Sequence, residues 1–101
     1  MKAQVLYEYD PSMQKDLWVQ EADLPEPKIV KSSDVIVKIG AAGVCRTDLH
    51  IIEGVWRHIQ DPDNTLLPCV MGHENAGWVE EIGSDVTNFK VGDPVILHPL
   101  I

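Results

Sequence analysis

The stretch 34–54, "DVIVKIGAAGVCRTDLHIIEG", carries two structural periods in succession, and its reading decides the fold. In its first half Val35, Val37 and Ile39 alternate with Ile36, Lys38 and Gly40, with β-branched residues throughout, which predicts a strand over 34–43. Its second half, "RTDLHIIEG", predicts a short helix over 46–54, with Thr47 or Asp48 capping its start and Gly54 ending it. At the junction stands Cys45, followed at once by Arg46, Thr47, Asp48 and His50. A solvated turn accounts for the polar residues but not the thiol, and a core segment for the thiol but not its titratable neighbours. The junction therefore reads as a functional site.

Outward from it, short strands and turns dominate. "KAQVLY" (2–7) and "DLWVQEA" (16–22) read as strands, and Pro25 and Pro27 forbid helix after them. "WRHIQDPDNTLLP" (56–68), with two prolines, reads as a loop. Strands follow over 76–83 and 93–99, with Glu80 and Glu81 on opposite faces or in a bulge. The whole of 1–101 is read as one mostly β domain, a barrel or sandwich with a short helix. No glycine-rich phosphate-binding fingerprint follows any strand, so no nucleotide-binding domain is read within it. The apolar run "VGDPVILHPLI" reaching Ile101 carries the expectation that the natural polypeptide continues.

The chain is acidic, with 8 basic against 16 acidic side chains and a net charge of −8, which disfavours binding to phosphate backbones. No span is long and apolar enough for a membrane, and the first residues lack the apolar region of a signal peptide. A cytoplasmic protein is expected, with Cys45 and Cys69 as thiols, Cys69 as a buried one. His58 and His98 read as loop or surface residues.

A second dense stretch, "MGHENAGWVEEIGSDV" (71–86), supplies a partner for Cys45 in His73. Thiolate and imidazole are both preferred zinc donors. The two are 28 residues apart, which matches no zinc-finger spacing, so a shared metal requires the fold to bring distant segments together.

"GVCRTDLH" followed by "GHENAGWVEEIGSDV" resembles the zinc-dependent medium-chain alcohol dehydrogenases. Gly72, His73, Glu74, Gly77, Gly83 and Val86 fill the positions of that family's zinc signature, and "NFKVGDPV" (88–95) resembles the turn and strand that follow it. The resemblance implies a GroES-like, partly open β-barrel, truncated before the Rossmann cofactor domain. It implies that Cys45 and His73 ligate a catalytic Zn2+, that Asp48 receives an N–H of His73, and that Glu74 sits behind the metal. Arg46 would contact the pyrophosphate of NAD or NADP. Thr47 and His50 would relay a proton from the alcohol through the cofactor ribose to solvent, a task suited to histidine. Trp56 would be a bulky wall of the substrate pocket.

The implied reaction is oxidation of an alcohol to an aldehyde or ketone, with hydride passing to the nicotinamide. Arg46 tilts the expected substrate towards simple or aromatic alcohols. The third zinc ligand and the cofactor domain lie beyond this stretch of the family pattern, so the chain is expected to be inactive alone. The full-length parent is expected to be a homo-oligomer, with a small-molecule alcohol or aldehyde as its substrate and no nucleic-acid or membrane partner. Two further readings are a non-enzymatic GroES-like oligomerising module, which has no need of Cys45, Arg46 or His50, and a small zinc module adding Cys69 or Glu74 to the two ligands. Gly72, Gly77 and Gly83 need no catalytic role, since strand glycines mark bulges or close backbone approach.

Overall fold

The computed structural model describes residues 1–99; the end of the apolar run, residues 100 and 101, lies outside the described residues. The elements in order are β1 (Lys2–Leu6), β2 (Gln20–Asp23), β3 (Val35–Gly43), α1 (Arg46–Glu53), α2 (Arg57–Gln60), β4 (Cys69–Val70), β5 (Glu74–Ile82) and β6 (Pro94–Ile96). They fall into two units that share the chain in alternation. One comprises Met1–Pro25 and Val44–Met71; the other comprises Glu26–Gly43 and the residues from Gly72 onward. Strands predominate in two open three-stranded sheets, as expected of a mostly β fold.

In the first unit β1 is central, in the order β2-β1-β4, and both its neighbours are antiparallel to it. Adjacent residues of a strand face opposite sides of the sheet, yet Val5 and Leu6 are both buried, so β1 is covered on both faces. The strand expected over 16–22 is shorter and later, at Gln20–Asp23. The cause is Asp10, a buried carboxylate that winds the preceding loop around itself. It accepts the Lys15 N–H at 2.8 Å, the Trp18 indole N–H at 3.0 Å and the Ser12 hydroxyl at 3.2 Å. The expected loop over 56–68 holds one helical turn, α2, and β4 follows it unanticipated because two residues carry no readable period.

The second unit orders its antiparallel strands β3-β5-β6. The expected strand over 34–43 is β3, while that over 76–83 begins earlier, at Glu74, and that over 93–99 shrinks to Pro94–Ile96. The β3–β5 ladder slips twice. Ile36 pairs with Glu81 and Val37 with Val79, leaving Glu80 as the extra residue of a bulge; Ile39 pairs with Gly77 and Ala41 with Ala76, leaving Gly40 as another. Gly77 and Gly83 are both close to backbone: a side chain at Gly83 would meet the Ser32 and Lys31 carbonyls.

Acid sensitivity follows from these loops. Backbone N–H donors, from Lys15 at Asp10, Lys31 at Asp34 and Leu66 at Asp61, lead the causes that hold these three carboxyls below the ordinary range. The folded state therefore binds fewer protons than the unfolded one as pH falls below about 4. The stability they confer is present above that pH and is lost as pH drops through their folded pKa values. Melting temperature should fall steeply in this window, and less steeply in Asp10→Asn, which a pH series of thermal unfolding checks. An equal slope in the two proteins would refute the assignment.

Candidate active site

Helix α1 runs from Arg46 to Glu53, and its cap is Cys45 rather than Thr47 or Asp48. Asp48 occupies the third helical position, the place from which an acidic side chain reaches back to the cap. Its Oδ2 accepts the Cys45 N–H at 2.9 Å, so the buried Asp48 carboxylate fixes the backbone that carries the half-buried thiol. A negative side chain in the first turn also complements the helix dipole. At the other end Gly54 adopts φ 79° and returns its N–H to the His50 and Ile51 carbonyls, the termination expected there.

Along α1 the predicted residues divide. Arg46 is exposed, Thr47 half-buried, and His50 half-buried on the last turn. The His50 ring meets the Trp56 indole at 4.9 Å between centroids, tilted by 50°. Its Nδ1 is buried with no hydrogen-bond partner among the described residues. A buried polar nitrogen without a partner costs free energy, and a hydroxyl group of a bound molecule would relieve it.

His73 belongs to the second unit. It is half-buried and immediately precedes β5, while exposed Glu74 opens that strand with its side chain over Gly43. Within this unit the Gly43–Glu74 pair closes the β3–β5 ladder. At that one end the chain leaves towards Cys45, two residues on, and arrives from His73, one residue before. Sulfur from cysteine and nitrogen from histidine form a donor set that suits zinc.

Sequence reading passed over a second cluster in the first unit. Asp61 is buried and accepts the Thr65 N–H at 2.6 Å, the Leu66 N–H at 3.0 Å and the Tyr9 hydroxyl at 2.7 Å. Burial, reinforced by Asp61, pushes the Tyr9 phenol up to about 12. The Arg57 guanidinium lies 5.4 Å from the centre of the Tyr9 ring. In sequence, Asp61 is one of several turn-forming residues in "QDPDN", and nothing in it signals a partner 52 positions earlier. Cys69 is half-buried, with burial raising its thiol pKa, and is not in a disulfide. Among the described residues no helix is long and apolar enough to cross a membrane.

Comparison with known proteins adds four findings. The Alcohol dehydrogenase GroES-like domain family matches residues 31–100. An alcohol dehydrogenase of Moraxella sp. (strain TAE123) is 40% identical over 95 residues, covering 94% of this chain and 25% of the relative. An uncharacterized zinc-type alcohol dehydrogenase-like protein of Bacillus subtilis (strain 168) is 45% identical over 75 residues, 74% of this chain and 18% of the relative. Among solved structures, the alcohol dehydrogenase of the hyperthermophilic archaeon Aeropyrum pernix superposes with a TM-score of 0.80 at 41% identity, over 98% of this chain and 26% of that one. The chain thus spans about a quarter of the length of the first of these relatives. Its two open sheets are those of a GroES-like fold, and the chain belongs to the alcohol dehydrogenase GroES-like domain family.

Proposed function

We propose that this chain supplies the metal-ligating and proton-relaying side chains of a zinc-dependent alcohol dehydrogenase, which oxidises alcohols to aldehydes or ketones with NAD or NADP. The observation that carries the reading is the shared ladder end at Gly43 and Glu74, from which Cys45 and His73 both extend. Cys45 and His73 hold the zinc, with Asp48 holding the Cys45 backbone in place and serving as carboxylate to the His73 imidazole. Glu74 would modulate that ligation. When bound, zinc supplies a Lewis acid for the alcohol oxygen and the nicotinamide supplies the hydride acceptor.

The remaining roles belong to the chain's own residues. Thr47 would accept the hydroxyl proton of the alcohol while giving up its own, and His50 would carry that proton towards solvent, its buried Nδ1 suited to a hydroxyl of the bound cofactor. Exposed Arg46 pairs with the cofactor pyrophosphate. Trp56 walls the substrate pocket and restricts it to simple or aromatic alcohols. Two protein ligands do not complete a tetrahedral site, so a further ligand and the nucleotide-binding domain come from outside this chain. The complete enzyme is a cytoplasmic homo-oligomer.

The test is made on the complete gene product, by measuring its intact mass, its zinc content and alcohol oxidation with each nicotinamide cofactor on one sample. The expected result is a chain about four times as long as this one, carrying zinc and turning over at an ordinary rate of about 10 per second. A zinc-free product inert towards every alcohol would overturn the reading.

A further inference from the structure

Trp56 stands between two residues that touch Tyr9. On one side is Gly54, where a Cβ would lie 3.1–3.3 Å from the Tyr9 Cγ, Cδ1 and Cβ, so only a glycine lets the loop lie this close to the ring. On the other is Arg57, whose guanidinium covers the same ring and whose N–H bonds the Asn64 side-chain oxygen at 3.2 Å. The Arg57 backbone N–H returns to the Gly54 carbonyl at 3.1 Å, closing the turn that contains Trp56. The Trp56 carbonyl in turn receives the Ile59 and Gln60 N–H groups, both at 2.9 Å. The far end of this segment is tied down at Asp61, whose N–H bonds the Arg57 carbonyl at 2.8 Å and whose carboxylate receives the Tyr9 hydroxyl. Tyr9 is therefore a post around which residues 54–66 are wound, and one hydroxyl-to-carboxylate bond fastens the winding.

We infer that Tyr9 and Asp61 are positioning residues, which fix the Trp56 indole against His50 and so set the size of alcohol the enzyme accepts. The inference rests on the proposed function only in taking Trp56 as the pocket wall. A hydrogen bond to a charged acceptor is among the stronger ones, and together with the Gly54–Arg57 closure it ties down the segment that carries the indole. Loosening it leaves the donor atoms of Cys45 and His73 in place, so the effect falls first on discrimination between substrates and reaches the proton relay only through the His50 ring that Trp56 meets.

The test labels the complete gene product with fluorotryptophan and assigns the Trp56, Trp18 and Trp78 resonances by Phe substitution. In Tyr9→Phe the ring contacts survive and only the hydroxyl is lost. The Trp56 resonance should shift or broaden while those of Trp18 and Trp78 stay in place. The KM of a bulky alcohol relative to a small one should fall about fivefold, with zinc content unchanged and any change in kcat the same for both alcohols. Asp61→Asn, which keeps an oxygen for the backbone donors and a polar partner for Tyr9, should show a smaller change of the same sign. An unmoved Trp56 resonance overturns the inference whatever the activity, and movement of all three resonances replaces it with a general structural role. If Trp56→Ala shifts the size preference and Tyr9→Phe does not, the brace is overturned. If Trp56→Ala leaves it unchanged, the pocket-wall reading fails instead.

Discussion

Gly77→Ala should unfold much of the second unit at ordinary temperatures. The added methyl would overlap the Lys38 carbonyl oxygen and lie 2.9 Å from its carbon and 3.0 Å from the Ile39 Cα, all of them backbone atoms of the paired strand. A flexible side chain can turn aside, but a strand cannot withdraw without breaking the ladder that joins it to β5. Gly77 is buried, opposite Ile39 and next to the Gly40 bulge, so the overlap comes where the register is already irregular. The expected loss is about 3 kcal/mol or more, which lowers the melting temperature of a domain this size by roughly 12–24 °C. Gly92→Ala is the control. Gly92 has φ +96° with nothing within 4 Å of the added carbon, so substitution there strains the backbone without a clash and should cost only about 1 kcal/mol. Paired thermal melts decide the matter, and equal losses at the two sites would show that the close approach has no energetic weight.

Cys45→Ala and His73→Ala should each remove zinc and activity together from the complete gene product. In Cys45→Ala the backbone N–H that Asp48 accepts is retained, so α1 keeps that half of its capping box. Each substitution takes one of the two protein donors assigned to the metal, and turnover should fall by at least about a thousandfold. Asp48→Asn leaves both donors in place and should weaken zinc retention by only about 10–100-fold. Metal analysis and alcohol oxidation on the same preparations, with circular dichroism to show that the fold persists, provide the check. Full zinc occupancy in Cys45→Ala would end the assignment of that thiol as a ligand.

What was legible in the sequence was local. The strand over 34–43 and the glycine end of α1 needed only near neighbours, and both stand where the pattern put them. The Glu80–Glu81 alternatives resolved as a bulge, because neither neighbour dictated a face. Errors arose where one side chain organises distant backbone. Asp10 consumes the residues that looked like the beginning of a strand at 16, and Cys45 takes the cap position expected of Thr47 or Asp48 because Asp48 reaches back to it. The Tyr9–Asp61 bond had no sequence signature, since its partners lie 52 positions apart. Cys45 stood out as a thiol amid charged residues and His73 as a histidine between Gly72 and Glu74, but their role as metal ligands came from the resemblance and stands as a proposal.

The alternation of the two units along the chain has a consequence during synthesis. β1 leaves the ribosome first, but its partner β4 and the Met71 N–H that bonds Gln4 come about seventy residues later. At about 5–20 residues per second that is a wait of several seconds with a strand destined for burial left uncovered. The first unit nevertheless has all its residues once Met71 has emerged, whereas the second still lacks β5 and β6. Helix α1 and its cysteine can thus be in final form before the strand that follows His73 has fully emerged. Maturation of the proposed metal centre would then be paced by the appearance of β5, with the thiol-bearing half already waiting.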